Sequence, residues 1–100
     1  MALKIVWTEN AYTHLEDILY YWEARNGTKL YSIKLYKLFQ NVLDIISRYP
    51  DSGSKTNNIL IRRKVVKDYF IYYSYNEEAL TVIGIVDMRR NPQFLKGFEK

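Results

Sequence analysis

One hundred residues, 48% of them hydrophobic, suffice for a single domain (residues 1–100) with a real core. The absence of cysteine excludes disulfides and thiolate metal sites, and with one histidine no metal or other cofactor is expected. The net charge is +4, and no stretch has the apolar length of a signal peptide or a membrane span, so a basic cytoplasmic protein without membrane association is expected.

The charge is unevenly spread. Residues 1–27 are net acidic, whereas residues 28–49 and 59–100 are net basic. That distribution suits an acidic partner, protein or nucleic acid, and reads equally well as an ordinary solvated surface. Ten tyrosines among sixteen aromatics point to a half-buried sheet face with the phenol hydroxyls in water.

In chain order, Leu3-Lys4-Ile5-Val6-Trp7 reads as a short strand with Leu3, Ile5 and Trp7 on one face. Thr8 is a good helix N-cap, and Glu9 suits the positive helix start. Ala11, Leu15, Ile18, Leu19 and Trp22 recur with helical spacing until Asn26-Gly27 supplies a left-handed cap. Thr28 can cap a second helix, whose apolar face runs through Tyr31, Leu35, Leu38, Phe39, Val42 and Ile46 until Pro50 ends it. So short a connection makes the two helices an antiparallel hairpin.

Residues 51–58 are a loop by composition. Three strands follow at about 59–66, 69–76 and 79–88, turned at Lys67-Asp68 and at Asn76-Glu77-Glu78, which makes an antiparallel meander. The expected fold is α+β: a strand, a helical hairpin, and a meander, with the helices on one face of a four-stranded sheet and the first strand beside a later one.

Few residues offer chemistry. His14 sits on the first helix with Asp17 and Ile18 as helical neighbours, far in sequence from the basic clusters, and reads as a surface histidine. No glycine-rich phosphate loop or nucleophile elbow is present. Glu77 and Glu78 are turn acids, and Asp87 could orient an arginine by a salt bridge.

The basic residues are more informative. Alternation along residues 60–66 puts Arg62 and Lys64 on one face and Arg63 with Ile61 and Val65 on the other. The apolar neighbours mark the Arg63 face as the more buried, so Arg62 and Lys64 are expected to be exposed together, and near Arg89 if their strands are close. Arg89 and Arg90 stand where the last strand leaves the sheet before Pro92. Such a patch suits RNA phosphates, and suits acidic side chains of a protein equally.

These pieces in this order are similar to a known family. The residues are Val6-Trp7-Thr8, then Ala11, Leu15, Ile18 and Tyr21-Trp22, then Ile45-Ile46 through Pro50 and Gly53. Arg62-Arg63-Lys64, Asp68 through Tyr73 and Ile85 through Pro92 complete the series. The chain resembles the RelE/ParE superfamily of bacterial toxins over nearly its whole length. The resemblance implies the toxin of a type II toxin–antitoxin module, often a plasmid stabilisation protein, neutralised by a tightly bound, partly disordered and acidic antitoxin.

Within that superfamily, RelE-like members cut mRNA in the ribosome and ParE-like members inhibit DNA gyrase. For a nuclease the resemblance implies Arg62, Lys64 and Arg89 as catalytic residues, acting without metal, with Tyr73 or Tyr75 replacing a missing acid. For target or phosphate binding it implies Arg62, Arg63, Lys64, Arg89 and Arg90, with Asp87 in support. After Arg90 come Asn91, Pro92, Gln93 and Phe94, with none of the tyrosine or histidine that a nuclease member carries. That departure and the long helical hairpin favour the ParE branch. The ribosome-dependent endoribonuclease is the alternative, and a degenerate member that only binds its antitoxin is a third. A homodimer and a toxin–antitoxin hetero-oligomer both remain open.

Overall fold

At Thr8 an extended segment becomes a helix on a single residue. The computed structural model describes residues 2–89. In chain order it comprises β1 (Lys4–Trp7), α1 (Glu9–Asn26), α2 (Leu30–Arg48), a 3-10 turn (Pro50–Ser52), β2 (Ser54–Lys55), β3 (Arg62–Val66), β4 (Tyr69–Tyr75) and β5 (Ala79–Asp87). Thr8 Oγ1 accepts the Ala11 N–H at 3.1 Å, as an N-cap should. Gly27, at φ 68°, closes α1 by donating its N–H to Glu23 O, in a left-handed conformation that glycine adopts without strain.

The start of α2 differs from expectation. Thr28 Oγ1 accepts the Leu30 N–H at 3.2 Å, but the cap position is Lys29, whose side chain makes no capping bond. The two-residue spacing is that of a Thr turn, which competes with a true N-cap. Ser32 ties the hairpin together, its hydroxyl lying 3.0 Å from Lys29 O and 3.2 Å from Glu23 Oε1.

The sheet has five strands in the order β1-β5-β4-β3-β2, not four. β1 runs parallel to β5 and the other pairs are antiparallel. The additional strand is the Ser54–Lys55 pair, which bonds to Arg63 and Arg62 inside the segment whose polar composition reads as loop. Two residues are too few to show a period. β3 starts at Arg62 because residues 56–61 close on themselves: the Ile61 N–H bonds Asn58 O, and Thr56 Oγ1 lies 2.9 Å from Ile61 O.

The helices cover one face of the sheet. Leu35, Phe39, Leu43 and Ile46 of α2 and Ala11 and Leu15 of α1 are buried against Val66, Tyr69, Ile71, Tyr73, Leu80, Val82 and Ile85. Ile5 and Trp7 extend that core at the β1 edge. The tyrosines sit deeper than a half-buried face allows. Tyr69, Tyr72 and Tyr73 are all buried, and the Tyr69 and Tyr73 hydroxyls bond protein groups rather than water. A hydroxyl so deep needs hydrogen-bond partners from the protein: the Tyr69 oxygen accepts from Trp22, and the Tyr73 hydroxyl donates to Pro50 O and accepts from Gly53.

One irregularity prepares the site. Tyr72 faces Gly84 while Tyr73 faces Val82, so Ile83 is an extra residue in β5. β1 ends at Trp7 opposite Val82, and beyond it α1 takes over the open edge of β5. Thr8 Oγ1 donates to Ile83 O at 3.2 Å, and the Ile85 N–H donates to His14 Nδ1 at 3.2 Å.

Candidate functional site at the end of the last strand

That takeover leaves a groove of about 380 Å³ between α1 and the ends of β4 and β5. His14, Asp17, Ile18 and Tyr21 of α1 form one wall; Tyr69, Ile85, Val86, Asp87 and Arg89 form the other. The α1 residues recur at 0, +3, +4 and +7, one helical stripe. His14 is far from the basic clusters in sequence but lines the same groove as Arg89. Its bond from Ile85 requires Nδ1 to be unprotonated. Tyr69 closes the floor, its oxygen accepting the Trp22 Nε1–H at 2.8 Å. Burial pushes the Tyr69 phenol above its ordinary value of 10.0.

At the mouth stands a clipped arginine. The Met88 N–H bonds Asp68 O at 2.9 Å, fixing the chain as it leaves β5. Asp87 Oδ1 accepts from the Arg89 backbone N–H at 2.8 Å and from Nε at 3.0 Å, and Oδ2 accepts from Nη2 at 2.8 Å. This is the planar fork-to-fork pair for which Arg is suited. Hydrogen bonding to Asp87 is the main reason the guanidinium holds its proton even more firmly than usual. The Arg89 side chain is still 65% exposed, so a positioned cation faces outward with one edge already occupied.

The other basic residues do not join it. Arg62 donates from Nη1 to Asp51 O at 3.0 Å and to Gly53 O at 2.8 Å, fastening the turn that follows α2. The Tyr73 hydroxyl fastens the same turn, donating to Pro50 O at 2.8 Å and accepting the Gly53 N–H at 2.9 Å. Burial raises the Tyr73 phenol above 10.0. Arg62 pairs with Tyr73, whereas Asp87 pairs with Tyr69, so the two arginine sites are four residues apart along β4, about 13 Å.

The faces of β3 are also the reverse of expectation. Arg62 and Lys64 share the helix-covered face with buried Val66, and Arg63 shares the other with Val65, which is 55% exposed. Adjacent Val65 and Val66 give alternation no preference, and the register against β4 decides. Arg63 lies over the Phe70 ring, its Cζ 4.4 Å from the centroid, and Lys64 is half-buried. Tyr75 is 40% exposed at the far end of β4, and Arg90 lies outside the described residues. Among the described residues no group of three or more His, Cys, Asp and Glu side chains is arranged to hold a metal, and no helix is long and apolar enough to cross a membrane.

The family model of the ParE toxin of the type II toxin–antitoxin system parDE matches residues 5–92, from β1 past the clipped arginine. The chain belongs to the ParE toxin family. A solved structure of a chromosomal ParDE toxin–antitoxin system from P. aeruginosa has the same fold, with a TM-score of 0.68 over 86% of this chain and 96% of that one, at 11% identity. No curated protein matches the chain in sequence. The fold is thus that of a ParE toxin, a protein with an antitoxin as partner.

Proposed function

We propose that this ParE toxin arrests bacterial growth by binding DNA gyrase, with Arg89 in the contact and Asp87 setting the direction of its fork. The observation that carries the reading is the separation of Arg62 from Arg89. A metal-free nuclease needs bases converging on one phosphate with a proton donor beside them. Here Arg62 is hydrogen-bonded into the turn after α2, and the Tyr73 hydroxyl is engaged on the same turn. The sequence after Arg90 supplies no tyrosine or histidine. An outward guanidinium held at a strand end, as Arg89 is, suits recognition of a carboxylate on a protein partner.

The protein acts in the bacterial cytoplasm, is held inactive by an acidic antitoxin encoded beside it, and contributes to plasmid maintenance. A supercoiling assay with purified gyrase tests the target: inhibition by the wild type and its loss in Arg89→Ala is the expected result. Unchanged supercoiling at excess toxin, in cells whose growth the toxin still arrests, rules the gyrase reading out. Primer extension on mRNA from those cells then looks for ribosomal cleavage.

A further inference from the structure

The loop between β2 and β3 holds two aliphatic side chains in water: Ile59 is 96% exposed and Leu60 73%. Neither packs on the core, although large aliphatic residues usually do. The loop is fastened from within. The Asn58 N–H bonds Thr56 Oγ1 at 3.2 Å, the Leu60 N–H bonds Asn58 Oδ1 at 2.9 Å, and the Ile61 N–H bonds Asn58 O at 3.0 Å. Thr56 Oγ1 also lies within 3.0 Å of both Asn58 O and Ile61 O. An apolar tip held out by an ordered frame loses little further entropy when something covers it.

Its surroundings indicate the occupant. Residues 52–67 contain five basic residues, Lys55, Arg62, Arg63, Lys64 and Lys67, and no acidic residue, more cations than any other acid-free stretch of the chain. Exposed Lys55 lies in β2 at the sheet edge from which the loop projects. An apolar contact flanked by cations fits an apolar segment flanked by carboxylates. A toxin held by an antitoxin has one long-lived partner to shield such a tip.

We propose that the β2–β3 loop is an anchor for the antitoxin, seating Ile59 and Leu60 among its apolar side chains with antitoxin carboxylates against Lys55 and its neighbours. The proposal rests on the toxin–antitoxin reading and not on gyrase as target. The test uses the protein encoded in the adjoining reading frame as probe. Its affinity is measured by titration calorimetry for the wild type and for the double variant Ile59→Ser, Leu60→Ser, whose fold is checked by circular dichroism.

Exposed serines leave the fold intact, and the antitoxin should bind the variant roughly a hundredfold more weakly, the loss of two buried aliphatic contacts. In the wild-type complex the amides of residues 59–61 should gain protection from hydrogen exchange, and Lys55→Glu should weaken binding further at low salt than at high salt. Equal affinity of variant and wild type overturns the proposal. A variant that keeps the antitoxin but no longer arrests growth also overturns it and assigns the loop to the target; sedimentation of the wild type with anionic vesicles overturns it in favour of a membrane. A wild-type chain that binds no product of the adjoining frame sinks the toxin–antitoxin reading itself, a result distinct from all of these.

Discussion

Arg62 and Arg89 both sit at strand ends, and the fold uses them in opposite ways. Arg62 turns inward to two backbone carbonyls of the turn after α2, Asp51 O and Gly53 O. Arg89 is clipped by one carboxylate and keeps most of its surface in water. The difference lies in the acceptors. Neutral carbonyls in a half-buried turn gain from a charged donor and hold it there, whereas a surface carboxylate aims the fork and leaves its other edge for a partner. A basic residue in a toxin sequence is therefore not yet a functional one.

The comparison can be broken most severely at Tyr73, which shares the turn with Arg62. Tyr73→Ala should cost about 3–5 kcal/mol in denaturant unfolding, because it removes a fully buried ring. Gly53→Ala comes next. Its new Cβ would overlap the Tyr73 hydroxyl and lie 2.9 Å from ring Cε1, so about 1–3 kcal/mol of overpacking is expected, read as a fall in the melting temperature.

Tyr73→Phe isolates the hydroxyl and should cost about 1–3 kcal/mol by stranding Pro50 O and the Gly53 N–H. A smaller effect is alkaline destabilisation. Burial raises the Tyr69 and Tyr73 phenols above 10.0, so the unfolded chain loses these protons first. Their contribution is complete below pH 10 and is lost as pH rises through the folded values. Tyr69→Phe should flatten the alkaline arm of a stability–pH curve; an unchanged arm would remove Tyr69 from the account.

Arg89→Ala is the opposite extreme. It should leave the melting temperature unchanged and abolish growth arrest, and a matching fall in melting temperature would erase the contrast with Arg62. Asp87→Asn should keep partial arrest, since the amide can accept one bond of the fork but not both in register.

Much of the fold is legible along the chain because its signals are local. Thr8, Gly27 and Pro50 mark helix boundaries by what their own atoms can bond, and the apolar spacing of α1 and α2 marks the faces that pack. The site is less legible. The stripe His14, Asp17, Ile18, Tyr21 is present in the sequence, but only the packing of α1 along β5 brings it against Asp87 and Arg89. Nothing local distinguishes Ser54-Lys55 from loop, or the exposed valine of β3 from the buried one.

The helical hairpin, the meander, the family and the arginine at the end of the last strand are all written in local signals, since period, caps and turn residues act over a few positions. Which arginine is spent on a turn, which face of β3 is covered, and what stands beside Arg89 are settled by long-range packing. Those outcomes depend on carbonyls, rings and carboxylates brought together from distant parts of the chain.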